Sequence, residues 1–271
     1  MTALTFTLKT ASKQRIDVAP LTPDTLAGLS AADIGALPLQ TGNRELRADE
    51  LFAIDAGDTD RIVFKGPTGK LDYVGKDMSR GEIRVEGDAG SYLAMRMKGG
   101  KITVGGSVAA YAACEMRNGA LAIGGNAGDF LGACLPGNKK GMAGGVVIVK
   151  GHVGDRAGDH MRRGAILIEG NAGCYLGSRM TAGTIAVLGQ VGEHLGYAMG
   201  RGTLLLARAP ASLPATFNDC GSHTLGFIPL LLKGFEGLDT PFAGMGDTLK
   251  RVRRYAGDMC HLGKGEILVA L

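Results

Sequence analysis

Between about Arg61 and Leu206 the sequence repeats every 19 residues, and glycine holds the period. The units EIRVEGDAGSYLAMRMKGG (82–100), KITVGGSVAAYAACEMRNG (101–119), VVIVKGHVGDRAGDHMRRG (146–164), AILIEGNAGCYLGSRMTAG (165–183) and TIAVLGQVGEHLGYAMGRG (184–202) align without gaps. A fixed period of this size marks a solenoid, in which each unit is one layer that buries its apolar face against its neighbours. The 45 glycines among 271 residues follow this period, so the chain is neither a flexible linker nor collagen, whose glycines fall on every third residue.

With each unit numbered 1 to 19, position 2 is apolar (Ile83, Ile102, Leu121, Val147, Ile166, Ile185), and so is position 4 (Val85, Val104, Ile123, Val149, Ile168, Val187). This is the period-2 alternation of a strand, with β-branched residues on the buried face. Position 6 is glycine throughout (Gly87 to Gly189), and so is position 19 (Gly100 to Gly202). Small apolar residues hold position 8, Leu or Ala position 12, and Met or Leu position 16 (Met97, Met116, Leu135, Met161, Met180, Met199). A helix would suffer about 1 kcal/mol for each interior glycine. Short strands turning at glycines, where positive φ is needed, fit better. The predicted fold is mainly β: a right-handed parallel β-helix of about seven coils with small α/β caps at both ends.

Two irregularities mark surface loops. The unit beginning at Ala120 carries about seven extra residues, including Pro136-Gly137-Asn138-Lys139-Lys140-Gly141, and the first unit (61–81) is two residues longer than the rest. The predicted division is residues 1–60 as N-terminal cap, 61–206 as repeat domain and 207–271 as C-terminal cap or docking segment. The first cap is expected to hold a strand (Leu4–Leu8) and a helical stretch over 21–39 with starts at Pro23 and Ser30. The second contains FIPLLLKGF (227–235), a predicted helix from Asp247 to Tyr255 and a last strand, GEILVAL. Such covers keep open sheet ends from pairing with other chains; either can also serve for docking.

Composition narrows the function. The net charge of +4 is mild, Trp is absent and aromatics make up 5%, which argues against nucleic acid. The five cysteines form no CxxC and read as reduced thiols. The start, MTALTFTLK, lacks the pattern of a signal peptide, and no apolar run approaches the roughly 18 residues of a membrane span, so a cytoplasmic protein is expected. No GxSxG or Walker motif occurs, the glycines of the repeat open no βαβ unit, and the five histidines show no HxH or HExxH spacing. Position 10 offers Asp129, Asp155 and Glu193 with Cys174 between them, which reads as a solvated column rather than paired catalytic carboxylates. Polar position 7 (Asp88, Ser107, Asn126, His152, Asn171, Gln190) reads as a hydrogen-bonded ladder. No catalytic, cofactor-binding or metal-ligating residue is assigned.

One charge pattern stands out, at positions 15 to 18. Arg96, Lys98, Arg117, Arg162, Arg163 and Arg179, with Arg80 and Arg201 beyond them and Lys139 and Lys140 in the inserted loop, would stack into a basic edge. Such an edge can contact an acidic partner or a polyanionic small molecule. It can equally be solubilising charge on a sheet edge.

The pattern G-x-x-G-x-x-x-G within a 19-residue unit resembles the glycine-repeat domain shared by the C-terminal region of the glutamate synthase large subunit and the C-type subunit of formylmethanofuran dehydrogenase. Residues 21–55 (LTPDTLAGLSAADIGALPLQTGNRELRADELFAID) and the stretch NKKGMAGGVVIVKGHVGD make the second resemblance the closer one. It implies a non-catalytic structural subunit of a cytoplasmic hetero-oligomer. In one such assembly, the formyltransferase/hydrolase complex, an amidohydrolase-type subunit and a formyltransferase subunit move a formyl group from tetrahydromethanopterin to a furan carrier and release formate. The alternatives are the corresponding subunit of a molybdenum or tungsten formylmethanofuran dehydrogenase, or a glutamate-synthase-like domain. In the first two cases the carriers and metal are expected on partner subunits and none in this chain. The carrier's glutamate tail would give the basic edge an acidic ligand. Neither nucleic acid nor a membrane is implied as a partner.

Overall fold

The computed structural model describes residues 2–271 and is built on one 13-stranded sheet. Eight of its strands follow the repeat: Asp58–Lys65, Glu82–Val85, Lys101–Val104, Ala120–Ile123, Ala143–Val149, Arg163–Ile168, Thr184–Val187 and Arg201–Leu206. Each pairs in parallel with the next, in a register that sets equal repeat positions side by side: Ile62, Ile83, Ile102, Leu121, Val147, Ile166, Ile185 and Leu204 form one continuous row. All are buried. Register is fixed because a one-residue slip would turn this row to the opposite face.

A second contact runs at position 8, where Ala89, Val108, Ala127, Val153, Ala172 and Val191 form single parallel bridges from unit to unit. Ala and Val alternate along this row, so larger and smaller side chains interleave. Between the two rows lies a core closed by Met78, Met97, Met116, Met142, Met161, Met180 and Met199, all fully buried. Counting along the repeat puts Leu135 in this methionine row. The structure puts Met142 there, because the insertion departs after Cys134 and rejoins at Gly141, whose N–H donates to the carbonyl of His160. Leu135 sits half-buried at the loop base.

The polar ladder is present, and its bonds run from side chain to backbone. Asp88, Ser107, Asn126, His152 and Asn171 each accept the N–H of the position 7 residue one unit on, at 2.7–3.0 Å. Position 10 does the same: Asp72, Asp129 and Asp155 accept the N–H groups of Ser91, Asp155 and Cys174 at 2.7–2.8 Å. The carboxylates of Asp129 and Asp155 are exposed, as a solvated column would be, and each also caps a turn of the next unit.

The chain ends extend the same sheet. Ala3–Leu8 pairs in parallel with Asp58–Lys65, and Lys264–Ala270 in parallel with Arg201–Leu206, so Leu4 and Ile267 continue the buried row. Beyond them the pairing turns antiparallel, with Phe52–Asp55 at one edge and Val252–Gly257 followed by Asn218–His223 at the other. Near the N-terminus, Pro23–Leu26 and Ala31–Ala36 are short helices; Thr22 caps the first and a Ser30–Asp33 capping box starts the second. The helix expected over Asp247 to Tyr255 is instead the strand Val252–Gly257. Its backbone completes a ladder with the final strand, and that long-range pairing overrides local helical preference.

The outer face of the sheet changes character along the stack. Position 3 is Arg84, Thr103 and Ala122 in the early units, then the buried Ile148, Leu167, Ala186 and Leu205. The C-terminal segment covers the later rows with Ile228, Leu232, Phe235, Phe242, Leu249 and Val252, forming a second core. Lys150 locks the cover by an ion pair with Glu169 at 3.1 Å and with Asp239 at 3.3 Å.

At the opposite end, Asp24 accepts the Ser79 N–H at 2.8 Å and the Ser79 hydroxyl, tying the first helix to the first unit. Burial alone would raise this carboxyl, but the two Ser79 bonds and the Arg80 charge outweigh it and hold Asp24 below its ordinary 3.8. A depressed folded value gives stability that is present above about pH 4 and lost as pH falls through the folded value. The stability gap between wild type and Asp24→Asn is therefore expected near neutrality and should close in acid, as urea unfolding across about pH 3 to 7 would report.

Candidate functional site

Positions 11, 13 and 15 carry the least ordinary backbone in the molecule. Tyr73, Tyr92, Tyr111, Phe130, Arg156, Tyr175 and His194 at position 11 all have φ between 59° and 63°. At position 15, Asp77, Arg96, Glu115, His160, Arg179 and Ala198 lie between 53° and 57°. A non-glycine residue held there costs roughly 1–2 kcal/mol. The return is hydrogen bonding to both neighbouring units. Tyr92 N–H donates forward to Ala110, Ala94 N–H donates back to Val74, and Arg96 N–H donates forward to Cys114, at 2.8–3.0 Å.

The position 11 side chains stack on this backbone. Ring centroids are 5.0 Å apart for Tyr73–Tyr92, 5.2 Å for Tyr92–Tyr111 and 4.7 Å for Tyr111–Phe130. Past the insertion the stack resumes with the Arg156 guanidinium 4.5 Å from the Tyr175 ring centre, and Tyr175 on His194 at 4.5 Å. The insertion leaves the repeat beside this break. Glu115 anchors it, accepting the Leu135 N–H at 3.2 Å and the Asn138 side-chain amide at 2.5 Å.

Two concavities flank the loop. One, of about 400 Å³, is lined by Glu115, Arg117, Asn138, Lys139 and Lys140. The other, of about 340 Å³, lies over Tyr111, Phe130, Cys134, Asp159, His160 and Arg179. In it the Asp159 carboxylate, 4% exposed, accepts the Ser178 hydroxyl at 2.7 Å and the Arg179 guanidinium at 2.9 and 2.5 Å. His160 Nδ1 lies 3.3 Å from Asp159 Oδ2 and 3.5 Å from Cys134 Sγ. Burial, with the Asp159 charge, pushes the Cys134 thiol up. The neighbouring Cys114, fully buried, is pushed up by burial to about 12, which makes it an inert core residue.

The basic edge divides in two. Arg96 pairs with Asp77 at 3.0 Å, Lys98 reaches the same carboxylate at 4.0 Å, Arg80 pairs with Asp60 at 2.8 Å, and Arg179 is held by Asp159. Arg117, Lys139, Lys140, Arg162 and Arg163 are exposed and make no ion pair among the described residues. These five cations lie around the loop and the unit after it; Arg201, also exposed and outside the ion pairs of the described residues, stands apart at the end of the repeat. Histidine spacings alone do not reveal the Cys134–Asp159–His160 grouping. The signal for it is a Cys at position 15 followed, one unit later, by Asp-His at 14 and 15. Among the described residues, no helix is long and apolar enough to cross a membrane.

No family model matches the chain. It is similar to the C-type subunit of the formyltransferase/hydrolase complex Fhc of Methylorubrum extorquens, 41% identical over 80 residues, 30% of each chain. It is also similar to the C-type subunit of tungsten-containing formylmethanofuran dehydrogenase 2 of Methanocaldococcus jannaschii, 39% identical over 57 residues, 20% of this chain and 21% of that one. The C-type subunit of molybdenum-containing formylmethanofuran dehydrogenase 1 of Methanosarcina barkeri is 34% identical over 91 residues, 31% of this chain and 30% of that one. The chain thus spans 30%, 21% and 30% of these curated relatives. A structural match reaches further: a chain in the X-ray crystal structure of the formyltransferase/hydrolase complex FhcABCD of Methylorubrum extorquens, in complex with methylofuran, aligns with a TM-score of 0.93 at 39% identity. That alignment covers 98% of this chain and 99% of the other.

Proposed function

This chain belongs to the family of C-type subunits of formyltransferase/hydrolase complexes, and on that premise we propose that it is a non-catalytic scaffold holding the catalytic subunits of such a complex in fixed relation. The observation that carries this reading is the end-to-end structural match, which includes both non-repeating ends. In the proposed complex an amidohydrolase-type subunit and a formyltransferase subunit pass a formyl group from tetrahydromethanopterin to a furan carrier and on to formate. The furan carrier, the pterin and the catalytic metal would be bound by those partners.

The proposed architecture suits that role. We take the units as coils of a right-handed parallel β-helix over 61–206, between caps at 1–60 and 207–271. In-register rows at positions 2 and 8 support the winding, and right-handed crossovers between parallel strands are the general rule. Layers tied on several sides leave little slack, which is what a spacer between active sites needs. The residues proposed to face an acidic partner are Arg117, Lys139, Lys140, Arg162 and Arg163; Arg96, Lys98 and Arg179 are offset by carboxylates and fit that role less well.

A tagged copy purified from its native cell should carry a hydrolase and a formyltransferase subunit, and the isolated chain should neither transfer nor hydrolyse formyl groups. Partners containing a molybdopterin subunit would select the redox complex instead, and activity of the isolated chain would defeat the scaffold reading. The double variant Arg162→Glu/Arg163→Glu should leave thermal stability unchanged and slow association with those partners by about tenfold at low salt, less at high salt. Unchanged assembly at low salt would assign the free cations to solubility.

A further inference from the structure

We propose that Cys134, Asp159 and His160 form a zinc site, a feature independent of the scaffold reading. Their donor atoms all lie within 4.8 Å of one another. A tetrahedral zinc with bonds of about 2.0–2.1 Å to nitrogen and oxygen and 2.3 Å to sulfur needs edges of about 3.4 Å between nitrogen and oxygen and 3.6 Å between sulfur and nitrogen. Two of the three edges are close to these lengths, 3.3 Å for His160 Nδ1 to Asp159 Oδ2 and 3.5 Å for Cys134 Sγ to His160 Nδ1, and the third, from sulfur to carboxylate, is within 4.8 Å.

The arrangement is not that of a proton relay. In a relay the imidazole faces the nucleophile with one nitrogen and the orienting carboxylate with the other. Here a single nitrogen, Nδ1, faces both sulfur and carboxylate. The carboxylate is also pre-set. Asp159 Oδ1 takes the Ser178 hydroxyl and Arg179 Nε, and Oδ2 takes Arg179 Nη2. Of the roughly four acceptor directions of a carboxylate, one is left, on the oxygen beside His160. Ser178, fully buried, and Arg179 thus hold the ligand in place from the outer shell, as partners of metal-bound carboxylates do.

The insertion makes the site. At position 15 the other units hold their residue at positive φ, whereas Cys134, where the loop departs, does not. All three donor residues line the same cavity, which Leu135 and Asn138 also border. A thiolate, an imidazole and a carboxylate suit borderline-soft zinc better than magnesium or calcium, which prefer all-oxygen sets. Binding deprotonates the thiol and releases its proton to solvent as the Zn–S bond forms, and thiolate plus carboxylate offset the double charge.

Cobalt(II) is the probe. The full-length chain, stripped with a chelator and titrated with Co²⁺, should bind one equivalent with a thiolate-to-cobalt charge-transfer band in the near ultraviolet and tetrahedral d–d bands, both bleached by Zn²⁺. Cys134→Ser should remove the charge-transfer band and Cys174→Ser should not. Arg179→Lys should weaken binding by about tenfold or more. No charge-transfer band in the wild-type chain would overturn the site, leaving a His160 N–H shared between carboxylate and sulfur. A band surviving Cys134→Ser in a folded variant would place the metal elsewhere and overturn it too. The wild-type spectrum decides even if a variant fails to fold.

Discussion

Phe242→Ala should destabilise the C-terminal region by about 3–5 kcal/mol, the usual cost of emptying a buried phenylalanine site. Phe242 is 1% exposed and belongs to the second core, where the segment after the last repeat packs on Ile148, Leu167, Ala186 and Leu205. These four come from successive strands, so the segment acts as a strap across the later units. The loss should be local at first, since layers of a repeat protein are coupled mainly to their neighbours. Hydrogen exchange should rise over the strap at 224–250 while the strands of the early units stay protected. Phe227→Ala and Leu230→Ala are the controls: at 40% and 72% exposure, each should shift stability by less than about 0.5 kcal/mol. A cost as small for Phe242→Ala would mean that the outer face of the sheet does not depend on this cover.

How much of this could be read from the sequence depends on whether a side chain reports its own environment. Ile83 and Val85 do, because alternation with Glu82 and Arg84 states which face is buried. Position 3 also reports it, changing from Arg84 to Ile148 and Leu167, but that change matters only once something is known to lie on the outer face. Tyr92 and Arg96 do not report theirs. Nothing in a tyrosine or an arginine announces a left-handed backbone, and both are held there by hydrogen bonds to other units. Asp129 and Asp155 look solvated because they are exposed, although each caps a neighbouring turn. Leu135 illustrates the hazard of an insertion: by count it falls in the methionine row, and only the rejoining of the chain at Gly141 reveals Met142 there. The candidate metal site was hidden by the same loop, since its cysteine and histidine are neighbours through stacking.

Gly170→Ala should cost about 3 kcal/mol or more, at or above the top of the ordinary range for overpacking. The glycines at position 19, such as Gly183 with φ +100°, are needed for their backbone angle. Gly170 has no such angle, and space is what it lacks. A Cβ there would lie 2.4 Å from the Gly151 carbonyl oxygen, 2.6 Å from its carbon and 2.7 Å from His152 Nδ1. The first two are backbone atoms of the preceding unit and cannot rotate away. The third is the acceptor of the Asn171 N–H, so relief in that direction breaks a rung of the polar ladder. Gly87, in the same column, offers the comparison. Its Cβ would meet only the Thr68 hydroxyl at 3.0 Å and the Gly66 carbonyl at 3.5 Å, because the longer first unit carries the chain aside. Gly87→Ala should therefore cost about 1 kcal/mol or less. Equal losses for the two variants in urea unfolding would show that the close approach of the preceding unit does not set the cost at Gly170. A large loss confined to Gly170→Ala would show that this glycine serves the close stacking of one unit on the next.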